Sequence, residues 1–369
     1  MNATTAVLQA PEVAAAGPRV SRRRLVHLLR ALLATGLAAV LLGYVFPRVA
    51  GATVTDLRAA FGAVSGREAA VLVLLWAAGL LTHSFVLTGA LPGLTRRRAL
   101  TLNLTGSAVA NTMPFGGAAG MSMNYVMIRS WGVEATGFAA FTLVTNLWGI
   151  FLKLGMPAIA LVALWASGGP ITSLTRWTAV VSAAVFGVTV LLGAAALVRR
   201  STIERAVRLL APGIVRIGRL FRRTGDADAV CAAVLGCRDT VATVLARRWG
   251  QLSLGTAGYG VMQAVLLWAC LHAVGADLAP TAVLAGFAVD RVMTLAVITP
   301  GAVGFAEAGT AAALIALGGS PIPVAAGVLL YRGFTYALEI PVGGAWLAGW
   351  LIQHRRNLRR SRGRHGGDG

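Results

Sequence analysis

Six ionisable side chains lie inside stretches of this sequence that otherwise have the composition of membrane helix. They are Lys153, Asp290, Arg291, Glu307, Arg332 and Glu339. Charges in membrane spans are rare, and they usually face the interior of a helix bundle or a water-filled cavity. The set is balanced in sign, so one reading is mutual neutralisation that only holds helices in register. The other reading is a polar cavity that accepts a lipid headgroup, in which Lys153, Arg291 or Arg332 would attract a phosphate.

Two stretches rich in proline and glycine interrupt apolar segments of the chain. They are NTMPFGGAAG, residues 111–120, and ITPGAVGFAEAG, residues 298–309. The residues expected to break the backbone are Pro114, Gly116, Gly117, Pro300, Gly301 and Gly304. Broken backbone at membrane depth is tolerated only where it is buried in protein or lines a wet cavity. Half-helices starting after each break would offer free N–H groups to an anion, although an acid such as Glu307 in a first helical turn also simply complements the dipole.

The composition assigns the class of protein. Hydrophobic residues make up 57% of the chain and charged residues only 12%, which is more apolar than a soluble domain of this size needs. Apolar runs of about 20 residues, the length that spans the hydrocarbon core, recur along the sequence. The sequence therefore predicts an all-α, polytopic membrane protein.

The hydropathy pattern predicts six full spans and two re-entrant hairpins, or about eight helices. The spans lie near 28–46, 69–91, 134–165, 176–198, 249–274 and 321–352, and the hairpins occupy 99–128 and 281–318. We treat 28–46 as a span because its apolar run is longer than the core of a typical signal peptide. The order span, span, hairpin, long span occurs twice and starts on opposite sides of the membrane, which predicts an inverted-topology repeat. The predicted units are a disordered basic N-terminus 1–24, repeats 25–165 and 166–352, a basic loop 199–248 inside the second repeat, and a basic tail 353–369.

Matched spacings support the repeat. Asn146 and Arg332 each lie 32 residues after the proline of their break, and Lys153 and Glu339 each lie 39 residues after it. Residues seven apart lie close to two helical turns apart and share a face. Pro157 and Pro341 are expected to interrupt the two long spans shortly afterwards.

The arginine clusters predict the orientation of the chain. They precede the first span, follow the second, fill 199–248 and end the chain, so alternating spans place all of them on one side. By the positive-inside rule this side is the cytoplasm, with both termini, and the expected location is the plasma membrane. The net charge of +20 thus reflects arginines that set the orientation of the chain in the membrane. No nucleic-acid partner is expected. The loop 199–248 fits either an amphipathic helix lying on anionic lipid or an ordinary connector.

Enzymatic and cofactor motifs do not stand out. The histidines and cysteines have no metal-ligand spacing, and no nucleotide-binding motif appears. His83, inside a span, is expected to be packed or hydrogen-bonded. We expect no cofactor, no metal and no enzymatic activity.

Three segments resemble a known family. TPGAVGFAEAG, 299–309, resembles the Pro-Gly-Gly-x-Gly-x-x-Glu signature of the lysylphosphatidylglycerol synthase transmembrane family, the flippase-like domain also found in the multiple peptide resistance factor. LLYRGFTYALEIPVGG, 329–344, resembles the following Tyr-Arg helix, and PFGGAAGMSMNYVMIRSWG, 114–132, resembles the first-half motif. The similarity covers about 25–365 and carries the signature onto Pro300, Gly301, Gly304, Glu307 and Arg332. Ala302 departs from it, since the family usually has a second glycine there.

The resemblance implies lipid handling. The first hypothesis is a translocase of an anionic or aminoacylated phospholipid, without the soluble aminoacyltransferase domain, for which the longest hydrophilic stretch, 199–248, is too short. The second is an accessory protein that presents a polyprenyl phosphate or glycolipid to a separate lipid-modifying enzyme. The third and least favoured is a membrane-embedded transferase. The expected partners are therefore membrane lipids, with or without a separate enzyme.

Overall fold

In the computed structural model, the described residues form helices joined by short turns, and no strand occurs among them. These residues are 36, 40, 44, 51, 53–112, 116–168, 171, 173–198, 201, 204–205, 207–210, 213, 227–295 and 299–365. They form eleven α-helices: α1 Val54–Gly62, α2 Gly66–Ala90, α3 Arg96–Thr112, α4 Gly116–Ser130, α5 Ala135–Ala166, α6 Ser173–Val198, α7 Ala227–Ala273, α8 Pro280–Met293, α9 Phe305–Ala316, α10 Pro321–Arg332 and α11 Glu339–His365. A 3₁₀ turn, Pro300–Ala302, precedes α9, and a π-helical turn, Gly333–Ala337, joins α10 to α11.

Four of the described helices are long and apolar enough to cross a membrane. They are α2, α5, α7 from Asp228, and the Arg176–Gly193 part of α6. The predicted spans 69–91, 134–165 and 176–198 correspond to α2, α5 and α6. The lengths and compositions of these helices agree with the predicted class, an all-helical polytopic membrane protein. The predicted span 28–46 lies, except for three positions, outside the described residues.

The fifth predicted span, 249–274, is longer than expected. Helix α7 begins at Ala227, so residues 227–248 of the predicted basic loop are helix continuous with the span. The physical reason is packing, because Cys237, Val241 and Val244 are buried in one hydrophobic cluster with Leu252 and with residues of α2 to α5. The amphipathic stretch expected near 203–221 lies mostly outside the described residues.

The sixth predicted span, 321–352, is not one regular helix. It consists of α10 and α11 joined by the π turn, in which Leu338 N–H donates to Gly333 O at 2.8 Å. Pro341 explains the wider turn, since its ring would clash with the carbonyl of residue 337 in a regular α-helix. The matching expectation for Pro157 was wrong, because Pro157 lies inside the continuous helix α5.

The stretches predicted as hairpins each form two short helices. Helices α3 and α4 have 17 and 15 residues, and α8 and α9 have 14 and 12. At about 1.5 Å per residue, all four are shorter than the hydrocarbon core of about 30 Å. Small residues let the partners pack closely: a Cβ on Gly120 of α4 would lie 2.7 Å from Gly106 O of α3.

Close packing also joins α11 to α3. A Cβ on Gly343 would lie 2.1 Å from Leu104 O and 2.7 Å from the Cβ of Ala108. A backbone carbonyl in a packed helix cannot move aside as a flexible side chain does. The two helices can therefore approach this closely only because residue 343 is glycine.

We predict that Gly343→Ala destabilises the protein by about 1–3 kcal/mol, the usual cost of overpacking. The measurement is the thermal unfolding midpoint of purified protein in detergent. Gly344→Ala is the matched control, since a Cβ at that position meets no atom within 4 Å. Equal midpoints for the two variants would contradict the packing described for α3 and α11.

Candidate functional site

A polar cavity of about 300 Å³ lies among the helices. Residues of α2, α3, α5, α7, α8, α10 and α11 line it, and its charged lining residues are Lys153, Arg291, Arg332 and Glu339. Four of the six charges singled out from the sequence therefore meet at one cavity. Asp290 and Glu307 are not among its lining residues, and each instead holds one of the arginines.

Arg332, the last residue of α10, is held by Glu307 and by the second break. Its Nε donates to Glu307 Oε1 at 2.7 Å, and its Nη2 donates to Gly301 O at 2.7 Å. Both side chains are almost fully buried, with 9% of Arg332 and 3% of Glu307 exposed. The other carboxylate oxygen of Glu307 accepts the Gly304 N–H at 2.6 Å, at the start of α9. A single carboxylate thus caps α9 and fixes the guanidinium.

This capping bond bears on the expected anion site at the start of α9. The expectation was that free N–H groups of the half-helix following Gly304 attract a phosphate, and the N–H of Gly304, at the cap of this helix, donates to Glu307. In the structure, Glu307 therefore has the simpler of the two roles considered: its carboxylate caps the start of its own helix, α9. An anion in the cavity would meet side-chain cations instead.

The backbone of the second break has a positive φ angle at three positions. Gly301 and Gly304 have φ angles of 59° and 89°, and Ala302 has a φ of 56°. Left-handed backbone costs a non-glycine residue roughly 1–2 kcal/mol, so Ala302 adopts the conformation that a glycine would take without this cost. Gly301 is also needed for space, since a Cβ there would lie 2.4 Å from the Tyr336 ring.

The second buried pair is formed by consecutive residues at the end of α8. Arg291 Nε donates to Asp290 Oδ2 at 2.9 Å, and Arg291 Nη2 contacts the same oxygen. The guanidinium also donates to the Tyr331 hydroxyl at 3.0 Å and lies 5.0 Å from the centre of the Phe287 ring. Asp290 is 1% exposed, so it holds Arg291 from the protein side.

Lys153 and Glu339 also line the cavity, but unlike the two arginines they are not held by an ion pair among the described residues. Lys153 Nζ lies 3.4 Å from Thr294 O, and Asn111 Nδ2 lies 3.5 Å from Glu339 Oε2. Among the described residues, neither side chain has an ion-pair partner within 4.0 Å. The cavity therefore presents two arginines paired with carboxylates, together with an ammonium and a carboxylate that have no ion-pair partner among the described residues.

The uncharged polar lining is more extensive than the sequence indicated. His83 shows the expected hydrogen bond, with Nδ1 2.9 Å from Asn103 Oδ1, and its ring lies 4.8 Å from that of Tyr259. Gln263 Nε2 donates to the Tyr259 hydroxyl at 3.0 Å. Asn103, Tyr259 and Gln263 were missed, and their only signal was a polar group within an apolar span.

The ends of the two breaks come together beside this cavity. Tyr336 of the π turn donates its hydroxyl to Asn111 O at 2.8 Å, just before the end of α3. A Cβ on Gly301 would lie 3.5 Å from Asn111 Oδ1. Gly116 is buried at the start of α4, and Pro300 begins the 3₁₀ turn, whereas Pro114 lies outside the described residues.

A second polar cavity, of about 280 Å³, adjoins the first. The two share four lining residues, His83, Asn103, Ser107 and Thr145. The second one also includes Gly117, Asn124 and Asn146. Polar surface therefore continues from the charged cavity to the helix that follows the first break.

A family model described as the lysylphosphatidylglycerol synthase TM region matches residues 28–343. The match covers most of the chain, so this protein belongs to that family of membrane proteins. The matched region includes both breaks and all six charges discussed above. A comparison with curated proteins found no match to this chain.

We predict that Glu307→Gln destabilises the protein by about 3–5 kcal/mol, because Arg332 is left buried without its counter-ion. The double variant Glu307→Gln/Arg332→Gln should recover part of this loss, since neither charge is then left alone. Thermal unfolding in detergent measures both effects.

The control for this prediction is an exposed ion pair. Arg208 and Glu204 approach to 2.6 Å, but 71% of the Arg208 side chain is exposed. Glu204→Gln should therefore cost at most about 1 kcal/mol. Equal losses in Glu307→Gln and Glu204→Gln would contradict the assignment of Glu307 and Arg332 as a buried, structure-forming pair.

Proposed function

We propose that this protein moves an anionic or aminoacylated phospholipid between membrane leaflets, with the headgroup passing through the central cavity. The observation that carries the proposal is the convergence of Lys153, Arg291 and Arg332 on one cavity among membrane helices. Guanidinium groups already held by buried carboxylates have a fixed orientation, and each has five N–H donors, more than these bonds use, so donors remain for phosphate oxygens. Lys153 of α5 adds a point charge to the same cavity.

Glu339 supports an aminoacylated headgroup in particular. It lines the same cavity as the three cations, and a carboxylate there gives an ammonium group a partner. A phosphate beside the cations and an amine beside Glu339 would match the charges of an aminoacylated phosphatidylglycerol. A simple anionic headgroup would use only the cationic side.

We further propose that 99–128 and 281–318 are re-entrant hairpins of an inverted repeat. Their short helices and the contact of Asn111 with Tyr336 and Gly301 support this arrangement. Lys153 and Glu339, which occupy matched positions in the two repeats, both line the central cavity. The arginine distribution supports a plasma-membrane orientation with both termini in the cytoplasm.

In this proposal the protein is a carrier, and a separate enzyme supplies or consumes the lipid. The fixed arginines bind the phosphate, and the polar surface shared with the second cavity provides a path that lets the headgroup avoid the hydrocarbon. Because a carrier must release its lipid, the binding of the headgroup in the cavity is reversible.

Leaflet exchange in proteoliposomes tests the proposed function. Labelled phosphatidylglycerol, lysylphosphatidylglycerol, phosphatidylcholine and a polyprenyl phosphate would be compared in vesicles with and without the protein. We expect faster exchange of the first two lipids than of phosphatidylcholine. Rates equal to those of protein-free vesicles for every headgroup would contradict transport, and exchange of the polyprenyl phosphate alone would favour the accessory-protein hypothesis.

Arg332→Lys provides a sharper test of the site, because it keeps the charge and removes the planar fork. We expect this variant to fold and to lose about tenfold or more in exchange rate, equivalent to about 1.4 kcal/mol in the activation free energy of exchange. Arg67→Lys, at an exposed position at the start of α2, is the control and should exchange at the wild-type rate. Full exchange by both Arg332→Lys and Arg332→Gln at normal abundance would show that Arg332 does not bind the headgroup.

A further inference from the structure

An apolar groove of about 530 Å³ runs between α5 and α7. Helix α5 contributes Phe151, Gly155 and Ile159, and α7 contributes Ala257, Gly260 and Val261. No Asp, Glu, Lys or Arg is among the described residues that line this α5/α7 groove. Its surface is therefore suited to hydrocarbon and not to a polar ligand.

The groove lies between the lipid-facing side of the helices and the central cavity. Ile159 and Val261 are 56% and 55% exposed on membrane-length helices, so the groove opens toward the lipid side. Leu152 and Thr256 line both the groove and the central cavity. One opening thus faces the bilayer, and one wall continues into the charged cavity.

Two glycines shape the groove in different ways. A Cβ on Gly260 would lie 2.6 Å from Leu152 Cδ1, so this glycine lets α5 and α7 approach. A Cβ on Gly155 meets no atom within 4 Å. Gly155 therefore leaves open space that a larger side chain could fill without displacing its neighbours.

We propose that the α5/α7 groove binds one acyl chain of the phospholipid whose headgroup occupies the central cavity. This inference rests on the proposed function. A phospholipid with its phosphate among Lys153, Arg291 and Arg332 must keep its chains away from polar surface, because exposing hydrocarbon there is unfavourable. The groove is apolar, opens to the bilayer and shares Leu152 and Thr256 with the cavity, so a chain can lie in it while the headgroup is bound.

Photocrosslinking tests this assignment independently of transport. The full chain is reconstituted in phosphatidylcholine vesicles that contain phosphatidylglycerol with a diazirine in the middle of one acyl chain. After irradiation, crosslinked peptides are mapped by mass spectrometry. We expect crosslinks at Phe151 and Ala257 to exceed those at Val185 and Leu191, which are lipid-facing positions of α6 with 46% and 70% exposure.

Competition separates a bound chain from surrounding lipid. Replacing phosphatidylcholine by unlabelled phosphatidylglycerol at a constant fraction of probe should lower the groove crosslinks and leave those on α6 unchanged. A phosphatidylcholine probe with the same diazirine chain should label α6 without enrichment in the groove. Displacement by a polyprenyl phosphate but not by phosphatidylglycerol would overturn the assignment to an acyl chain.

Variants from both walls complete the test. Gly155→Leu and Ala257→Leu each fill the groove, and both should reduce the groove crosslinks about tenfold. Gly187→Leu on α6 is the control, since its Cβ also meets no atom within 4 Å and it does not line the groove. The inference would be overturned by wild-type crosslinking in a groove variant that folds normally, or by no enrichment over α6 in the wild-type protein.

The chain site and the proposed transport can fail separately. Enriched groove crosslinks without leaflet exchange would support the chain site and contradict transport. Leaflet exchange without enriched groove crosslinks would support transport and contradict the chain site.

Discussion

The carboxylate of Glu307 is the interaction on which the central cavity depends. It accepts the Gly304 N–H with one oxygen and the Arg332 guanidinium with the other, while Arg332 also binds Gly301 O. These bonds join the second break, the start of α9 and the end of α10. Because both side chains are almost fully buried, separating these groups would leave a charge and backbone dipoles without partners. Packing of Gly301 against Tyr336 and the bond from Tyr336 to Asn111 extend the same constraint to α3.

The buried ion pairs and the polar cavity are parts of one arrangement. From the sequence alone, mutual neutralisation and headgroup binding are competing explanations for the six charges inside the membrane segments. In the structure, Asp290 and Glu307 neutralise and orient the arginines from the protein side, and the arginines reach the cavity that Lys153 and Glu339 also line. Holding a guanidinium in place reduces the entropy that it loses when a ligand binds. The pairs therefore orient the arginines, and in the proposed function this orientation prepares them to bind an anion.

The sequence predicted those features that depend on local composition. Helices α2, α5 and α6 follow from hydropathy, and the charges were found because charges are rare in spans. Features set by tertiary contact could not be predicted in this way. The pairing of Asp290 with Arg291 was not apparent, since adjacent residues do not face each other on a helix. The early start of α7 depends on contacts of Cys237 and Val244 with α2 to α5. Asn103, Tyr259 and Gln263 were missed because uncharged polar residues are too common in membrane helices to mark a site.

Binding of a phospholipid headgroup in the charged cavity can be examined by solving an experimental structure in lipid nanodiscs that contain phosphatidylglycerol. We expect a phosphate in the cavity with oxygens about 3 Å from the guanidinium groups of Arg332 or Arg291, and an acyl chain in the α5/α7 groove. A well-resolved cavity that contains only water, with every bound lipid on the outer surface of the bundle, would contradict it.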